Sequence, residues 1–294
     1  MTLETKYGTL NGAQNNEYYP SGNLMSTMVS EYSVLNTPYG ELIPNYRYDE
    51  VRKKYRPSVC FDEKGDLESI YLHRPQQIGT KIGRFSVEML TFYPNGAIKR
   101  AFPLYGQIGG YWTENDEYKL AVEQCISVCQ EEKVCKPLCL HFYPDGCLQS
   151  VTLWSHSSLS LPTRYGEVTT RFGFELTEAG ALKSIEPVFG VKLDTPNGVL
   201  YPFQVDGYRL HAEHNSLAFD ADGAIVRAAT LRSKVRVQKD NGEEQIIEPV
   251  FAPDPVTGNR VKRPLELTWD EKKILIRVDA QTFFSFPKEQ VQFV

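Results

Sequence analysis

Phe92-Tyr93-Pro94-Asn95-Gly96-Ala97-Ile98 is the stretch that decides the fold. Pro94 presets φ for the first corner of a turn, and Asn95 bonds locally and tolerates the second. Gly96 then accepts the left-handed conformation that closes a type I turn with a G1 bulge. Val87-Glu88-Met89-Leu90-Thr91-Phe92 leads in and Ala97-Ile98-Lys99-Arg100-Ala101-Phe102 leads out, with the alternation and the Val, Ile, Thr and Phe content of strands. The unit reads as a β-hairpin.

The same pattern stands at Tyr18-Tyr19-Pro20-Ser21-Gly22-Asn23-Leu24, Phe61-Asp62-Glu63-Lys64-Gly65-Asp66-Leu67 and Phe142-Tyr143-Pro144-Asp145-Gly146-Cys147-Leu148. It returns at Leu176-Thr177-Glu178-Ala179-Gly180-Ala181-Leu182 and Phe219-Asp220-Ala221-Asp222-Gly223-Ala224-Ile225. A second mark, Thr-x-x-Gly, occurs at Thr5–Gly8, Thr37–Gly40, Thr163–Gly166 and Thr195–Gly198, and reads as the opposite turns of the same meander. The marks share one register. Gly8, Gly22, Gly40 and Gly65 recur 158 residues later as Gly166, Gly180, Gly198 and Gly223, as do Pro44 as Pro202 and Ser58 as Ser216. Residues 5–72 and 163–230 therefore read as two copies of one segment, the signature of stacked supersecondary units. With a one-residue slip, Gly83 maps to Gly242, Phe92 to Phe251 and Pro94 to Pro253.

The expected fold class is all-β: an antiparallel β-hairpin repeat, meander or ladder, with an internal duplication and one short helix. The helix is expected over Thr113–Val122, where a capping Thr precedes an acidic first turn. The expected division is 1–124, an N-terminal copy with the helix, and 125–294, a cysteine hairpin and the C-terminal copy, with one continuous sheet as the alternative. Leu265 to Phe293 reads as further strands and Asp254 to Arg263 as a Pro/Gly loop.

The aromatic-Tyr-Pro-(Asn/Asp)-Gly-x-(Ile/Leu) unit resembles the β-hairpin repeats of the MORN and YwqK-like antitoxin type. That resemblance implies a binding or scaffolding surface; it assigns no functional residue.

Composition narrows the function classes. With 41% hydrophobic and 23% charged residues the chain is globular and not a disordered tail. The 17 Tyr and 15 Phe against 4 Met suit pleated surfaces. A net charge of -5 argues against binding to nucleic acid backbones, and the densest basic run, Arg52-Lys53-Lys54, reads as a solvated face. No stretch reaches the ~20 apolar residues that span a bilayer, and Met1–Lys6 has no signal pattern, so the cytoplasm is the expected location. The six cysteines are then reduced thiols.

Cys125, Cys129, Cys135 and Cys139 are spaced symmetrically about Glu132. A hairpin turning at Glu131-Glu132-Lys133 would set Cys129 against Cys135 and Cys125 against Cys139, with Ile126, Val128, Val134, Leu138 and Leu140 on the core face. Strand residues four apart lie roughly 13 Å apart, too far for four sulfurs at about 2.3 Å from one zinc. No metal site is expected, and a cross-strand disulfide is the easier geometry. Asp220-Ala221-Asp222-Gly223 lacks the closing Glu of a calcium loop and reads as a turn. His211-Ala212-Glu213-His214 lacks the H-E-x-x-H order, Gly106-Gln107-Ile108-Gly109-Gly110 lacks a following Gly-Lys-Ser/Thr, and Ser155-His156-Ser157-Ser158 lacks a nucleophile elbow.

No catalytic residue or cofactor site emerges. The expectation is a non-enzymatic binding or scaffold module with an exposed β surface rich in Tyr and Phe, whose partner is a protein or a second copy paired at a sheet edge. The alternatives are a hydrolase or isomerase with a site between the copies, and a thiol or metal sensor at the four cysteines.

Overall fold

A computed structural model of the protein describes residues 1–48, 55–105, 112–205, 215–254 and 257–294. Arg52-Lys53-Lys54, Gly106–Gly110 and the His211–His214 pair lie outside the described residues. The chain divides into two compact units, Met1–Trp154 and Ser155–Val294.

The first unit runs β1 (Leu3–Thr5), β2 (Gly8–Leu10), β3 (Ala13–Tyr18), β4 (Leu24–Val29), β5 (Leu35–Thr37), β6 (Gly40–Leu42) and β7 (Val59–Phe61). It continues β8 (Leu67–Thr80), β9 (Gly83–Phe92), β10 (Ile98–Phe102), α1 (Glu114–Leu120), β11 (Gln124–Val128), β12 (Glu131–Cys135), β13 (Pro137–Phe142) and β14 (Leu148–Leu153). Its main sheet is antiparallel in the order β14-β13-β10-β9-β8-β7-β4-β3. The hairpin-unit turns join consecutive strands at one end. The cysteine segment belongs here because β10 pairs with β13, so the division expected at 124/125 moves to 154/155. Thr113 caps α1 in a capping box with Asp116, as its sequence implies.

Cross-strand rows show how alternation becomes a core. Thr27, Val59, Ile70, Leu90, Ala101, Leu140 and Val151 are successive partners across the sheet, and all are buried. The neighbouring row points to the opposite face and is polar: Glu17, Ser26, Cys60, Ser69, Thr91, Arg100, His141, Ser150. A second layer of short hairpins, β1–β2, β5–β6, the far ends of β8–β9 and β11–β12, buries Leu10, Leu35, Leu42, Ile78, Phe85 and Ile126. Phe85 stacks on Phe142 at 6.4 Å, which ties that layer to the sheet.

The second unit runs β15 (Leu159–Thr163), β16 (Gly166–Leu176), β17 (Leu182–Pro187), β18 (Leu193–Thr195), β19 (Gly198–Leu200), β20 (Leu217–Phe219) and β21 (Ile225–Thr230). It continues β22 (Val235–Gln238), β23 (Glu244–Ile247), β24 (Phe251–Pro253), β25 (Arg260–Lys262), β26 (Leu265–Trp269), β27 (Lys273–Arg277), β28 (Phe283–Pro287) and β29 (Val291–Phe293). The main sheet has the order β28-β27-β26-β21-β20-β17-β16, with β15 also on β16. Its buried row is Phe174, Ile185, Leu217, Ala228, Leu267, Ile276. A smaller sheet, β18-β19-β29-β22-β23, takes in the C-terminal strand.

The two copies share many strand pairings at the 158-residue offset, with a one-residue slip where Ala13 pairs with Val29 but Thr170 with Pro187. Glu17 pairs with Ser26 and Glu175 with Ser184; Cys60 pairs with Ser69 and Ala218 with Arg227; Leu35 pairs with Leu42 and Leu193 with Leu200. The Tyr7 hydroxyl accepts from the Leu67 N–H at 3.1 Å, and the Tyr165 hydroxyl from Ile225 at 3.4 Å. Beyond residues 72 and 230 the slipped correspondence fails. Gly83 closes a two-residue turn opposite Thr80, whereas Gly242 donates to the Lys239 carbonyl in the hairpin-unit type of turn. Phe92 is buried in the main sheet and Phe251 is exposed on β24. The copies part because β8 runs on into β9, while β21 pairs instead with β26.

Candidate functional site

The polar face of the second unit carries a linked set of charged, amide and hydroxyl side chains. Its floor is the row Glu175, Ser184, Ala218, Arg227, Thr268, each residue set by backbone pairing on β16, β17, β20, β21 and β26. Lys183 and Val226 also line an open groove of about 660 Å³ on this face. The lining is linked. The Lys183 ammonium pairs with Glu175 at 2.8 Å, Asn215 Nδ2 donates to Ser184 Oγ at 2.9 Å, and Arg227 donates to the Asn215 carbonyl at 3.3 Å.

At one end of this network lies Glu186, with no exposed surface. One carboxylate oxygen accepts from Arg171 at 2.9 Å and from Ser216 Oγ at 2.9 Å; the other accepts from the Ser216 N–H at 2.7 Å. Burial pushes the Glu186 carboxyl above its ordinary range, against the opposing pull of Ser216 and Arg171. The Arg171 guanidinium lies over the rings of Phe203 at 4.3 Å and Phe172 at 4.8 Å and donates to the Gln204 carbonyl. Glu186 therefore holds both ends of the connection from Phe203 to Ser216 to the sheet. Both of its oxygens are taken by this pin. Ser216 thus donates to Glu186 through both its hydroxyl and its N–H.

The first copy supplies a comparison at corresponding strand pairs. Ser58 stands where Ser216 stands and likewise pins its connection, bonding the Asn45 carbonyl, Tyr48 and the Val29 N–H. The Ser26–Glu17 bond at 2.7 Å matches the Ser184–Glu175 contact at 3.5 Å. The charges do not match: Met28, Ser69 and Met25 occupy the places of Glu186, Arg227 and Lys183. The first connection is held by aromatic contacts instead, with Tyr46 stacked on His73 at 3.9 Å and Arg56 between Tyr71 and Tyr105 at 4.6 and 4.3 Å.

The expected Tyr/Phe-rich exposed surface is not what the sheet presents. Tyr18, Tyr32, Tyr55, Phe189, Phe251 and Phe283 are exposed, but they are scattered, and the organised face is polar. Sequence reading missed Arg171, Glu186 and Arg227, because a lone charged residue within a strand pattern carries no local signal. The available signal was comparison of the two copies.

The cysteine hairpin also differs from expectation. It turns at Cys129-Gln130, both with positive φ (50° and 66°), and not about Glu132. Gln124 therefore faces Cys135 and Cys125 faces Val134, while Cys139 sits in the main sheet opposite Thr152. The reason is the core side of β11: Ile126 and Val128 must point inward, which brings Cys135 inward and leaves Val134 exposed. All six cysteines are free thiols, and burial pushes those of Cys135 and Cys139 up to about 12. Among the described residues no group of three or more His, Cys, Asp or Glu could hold a metal ion. Asp220 accepts from the N–H groups of Asp222 and Ala224, so its carboxylate builds the turn. Ser155-His156 forms a turn. No helix among the described residues is long and apolar enough to cross a membrane. A scan against family models, a search of the curated proteins and a search of the solved structures each gave no match.

Proposed function

We propose that this protein is a non-enzymatic binding module of the cytoplasm whose ligand face is the polar row of the second unit. The observation that carries the reading is the groove of about 660 Å³ floored by Glu175, Ser184, Arg227 and Thr268 on paired strands. Strands hold side chains more rigidly than loops, so donors and acceptors are preorganised at low entropic cost. Glu186, the strongest candidate for acid–base work, is enclosed and tied to Ser216 and Arg171. The likeness of the hairpin units to MORN and YwqK-like repeats points the same way, and six free thiols suit a reducing compartment.

Backbone amide exchange of the intact chain, with and without size-fractionated cytoplasmic extract, tests the reading. Protection is expected on β17, β20, β21 and β26. Protection confined to other strands sinks the assignment of the face. Turnover of a hydrolase or isomerase substrate set that is lost in Glu186→Gln sinks the non-enzymatic reading.

A further inference from the structure

Independently of that groove, we propose that Cys147 and Lys81 form an acyl relay: the thiol takes a short acyl group from a thioester and passes it to the lysine amine, which makes Lys81 a modification site. Lys81 stands in Thr80-Lys81-Ile82-Gly83, the turn between β8 and β9, and Cys147 follows the glycine of the turn between β13 and β14. The Lys81 Nζ lies 3.7 Å from the Cys147 Sγ and 3.7 Å from an Asp145 carboxylate oxygen. Asp145 also accepts from the Cys147 N–H at 2.9 Å, which fixes the backbone that carries the thiol. The thiol donates to the Asp145 carboxylate and is held above its ordinary range by it, so the sulfur is a restrained nucleophile that needs an activated acyl carbon. A thioester supplies one. Lys81 and Asp145 both line a cavity of about 200 Å³ whose walls include Ile98, Phe142 and Pro144. An apolar recess beside the amine suits a short aliphatic acyl chain, which gains by leaving water.

Another step of the ladder shows that the turn does not require a thiol. Lys6, in Thr5-Lys6-Tyr7-Gly8, lies on Gly65 as Lys81 lies on Gly146, its Cε 3.8 Å from where a Cβ would stand in each case. The residue after that glycine is Asp66, which takes the Lys6 ammonium at 2.8 Å. Cys147 puts a nucleophile where Asp66 puts a carboxylate, beside the equivalent amine. The relay balances with the thioester as its one co-reactant. The Cys147 sulfur bonds to the thioester carbonyl carbon, the bond from that carbon to the donor sulfur breaks, and the donor leaves as a thiol with the proton that Cys147 gives up. Lys81, after losing one proton to water, bonds through nitrogen to the same carbon. The bond to Cys147 Sγ breaks, a second amine proton passes to that sulfur, and an amide on Lys81 and a free thiol remain. Nothing is oxidised or reduced. The second step joins groups already held side by side, which is where proximity accelerates most.

The test incubates the full chain with the acetyl and butyryl thioesters of N-acetylcysteamine in mildly alkaline buffer and follows each lysine by peptide mass spectrometry. Lys81 is expected to acylate faster than Lys6, whose side chain is similarly exposed at 51% against 57%. Cys147→Ser and Cys147→Asp should each slow Lys81 about tenfold or more and leave the other lysines unchanged. Cys147→Asp installs the residue that Asp66 already provides at the equivalent turn, so it keeps the test valid where serine disturbs the local structure. Lys81→Arg should strand the acyl group on Cys147 as a thioester that hydroxylamine cleaves. Lys81 acylated no faster than Lys6, or at the wild-type rate in both Cys147 variants, overturns the proposal. A thioester that forms on Cys147 of the wild type and never reaches Lys81 overturns it as well.

Discussion

Gly96 and Gly198 show that one residue type answers two different demands. Gly96 has φ of +80°, and a Cβ there would meet nothing within 4 Å, so only the left-handed backbone requires glycine. At Gly198 φ is +106° and a Cβ would lie 2.6 Å from the Phe293 carbonyl oxygen of the inserted C-terminal strand. Gly96→Ala should cost about 1–2 kcal/mol, the ordinary penalty of that region. Gly198→Ala should cost clearly more, because β19 and β29 must move apart. Urea unfolding of the two variants checks the order, and equal costs would refute the account. The thiols give a second residue-scale prediction. Cys125 is exposed, whereas Cys135 and Cys139 are buried and pushed up to about 12. Alkylation of the native protein followed by peptide mapping should label Cys125 first and those two last. Early labelling of Cys139 would contradict the burial. The glycine positions were readable in the sequence because turn chemistry is local. The cysteine turn was not: symmetry of spacing suggested Glu132, but the inward demand of Ile126 and Val128 fixed the turn two residues earlier.

At the scale of elements, the repeat works by stitching neighbours. The Tyr19 hydroxyl donates to the Phe61 carbonyl at 3.0 Å and that of Tyr93 to the Phe142 carbonyl at 2.8 Å, linking each hairpin unit to the next. From the other layer, the hydroxyls of Tyr7, Tyr39 and Tyr165 accept the N–H two residues after Gly65, Gly96 and Gly223. Tyr7→Phe and Tyr39→Phe should each lower stability by about 1 kcal/mol, since each strands one partly buried N–H. Chemical denaturation measures this, and a neutral result for both removes the stitch as an energetic element. The Glu186 pin gives a pH signature. Its folded carboxyl titrates above the ordinary 4.5, so over the window from 4.5 upward the folded state holds a proton that the unfolded state has lost. Stability from this group is therefore lost as pH rises through the folded value. Glu186→Gln should lack that decline, so the difference in unfolding free energy between wild type and variant should shift in the variant's favour as pH rises. A difference that stays flat, or runs the other way, would refute the sign. Strand pairing and the copy register were legible in the sequence, because period-two alternation and turn residues encode them. The pin was not, because Arg171, Glu186 and Ser216 meet only through pairing of distant strands.

Across the whole molecule, a ladder of hairpins raises the question of its edges, since an open strand offers unpaired N–H and C=O groups to another chain. The sequence suggests pairing through such an edge, but β3 and β28 each carry a local obstacle. On β3, Met1 bonds the outward amide of Ala13, and Asn15 at φ +53° opens a bulge that breaks the register between Gln14 and Glu17. On β28, the bonds from Val278 to Thr282 and from Lys288 to Lys272 fix the parity of the ladder. Phe284 and Phe286 then bond toward β27, while Phe283, Ser285 and Pro287 direct their backbone groups outward. Pro287 has no N–H to offer, so the outward row is interrupted where a further strand would continue. The exposed Phe283 side chain would otherwise favour association. Light scattering over a range of concentrations should therefore give the mass of one chain for the wild type. Pro287→Val restores an outward donor and suits a strand, so its apparent mass should rise with concentration while its fold, followed by circular dichroism, stays the same. A wild type that already dimerises, or a variant that remains a single chain at every concentration, would show that Pro287 is not what keeps this edge unpaired.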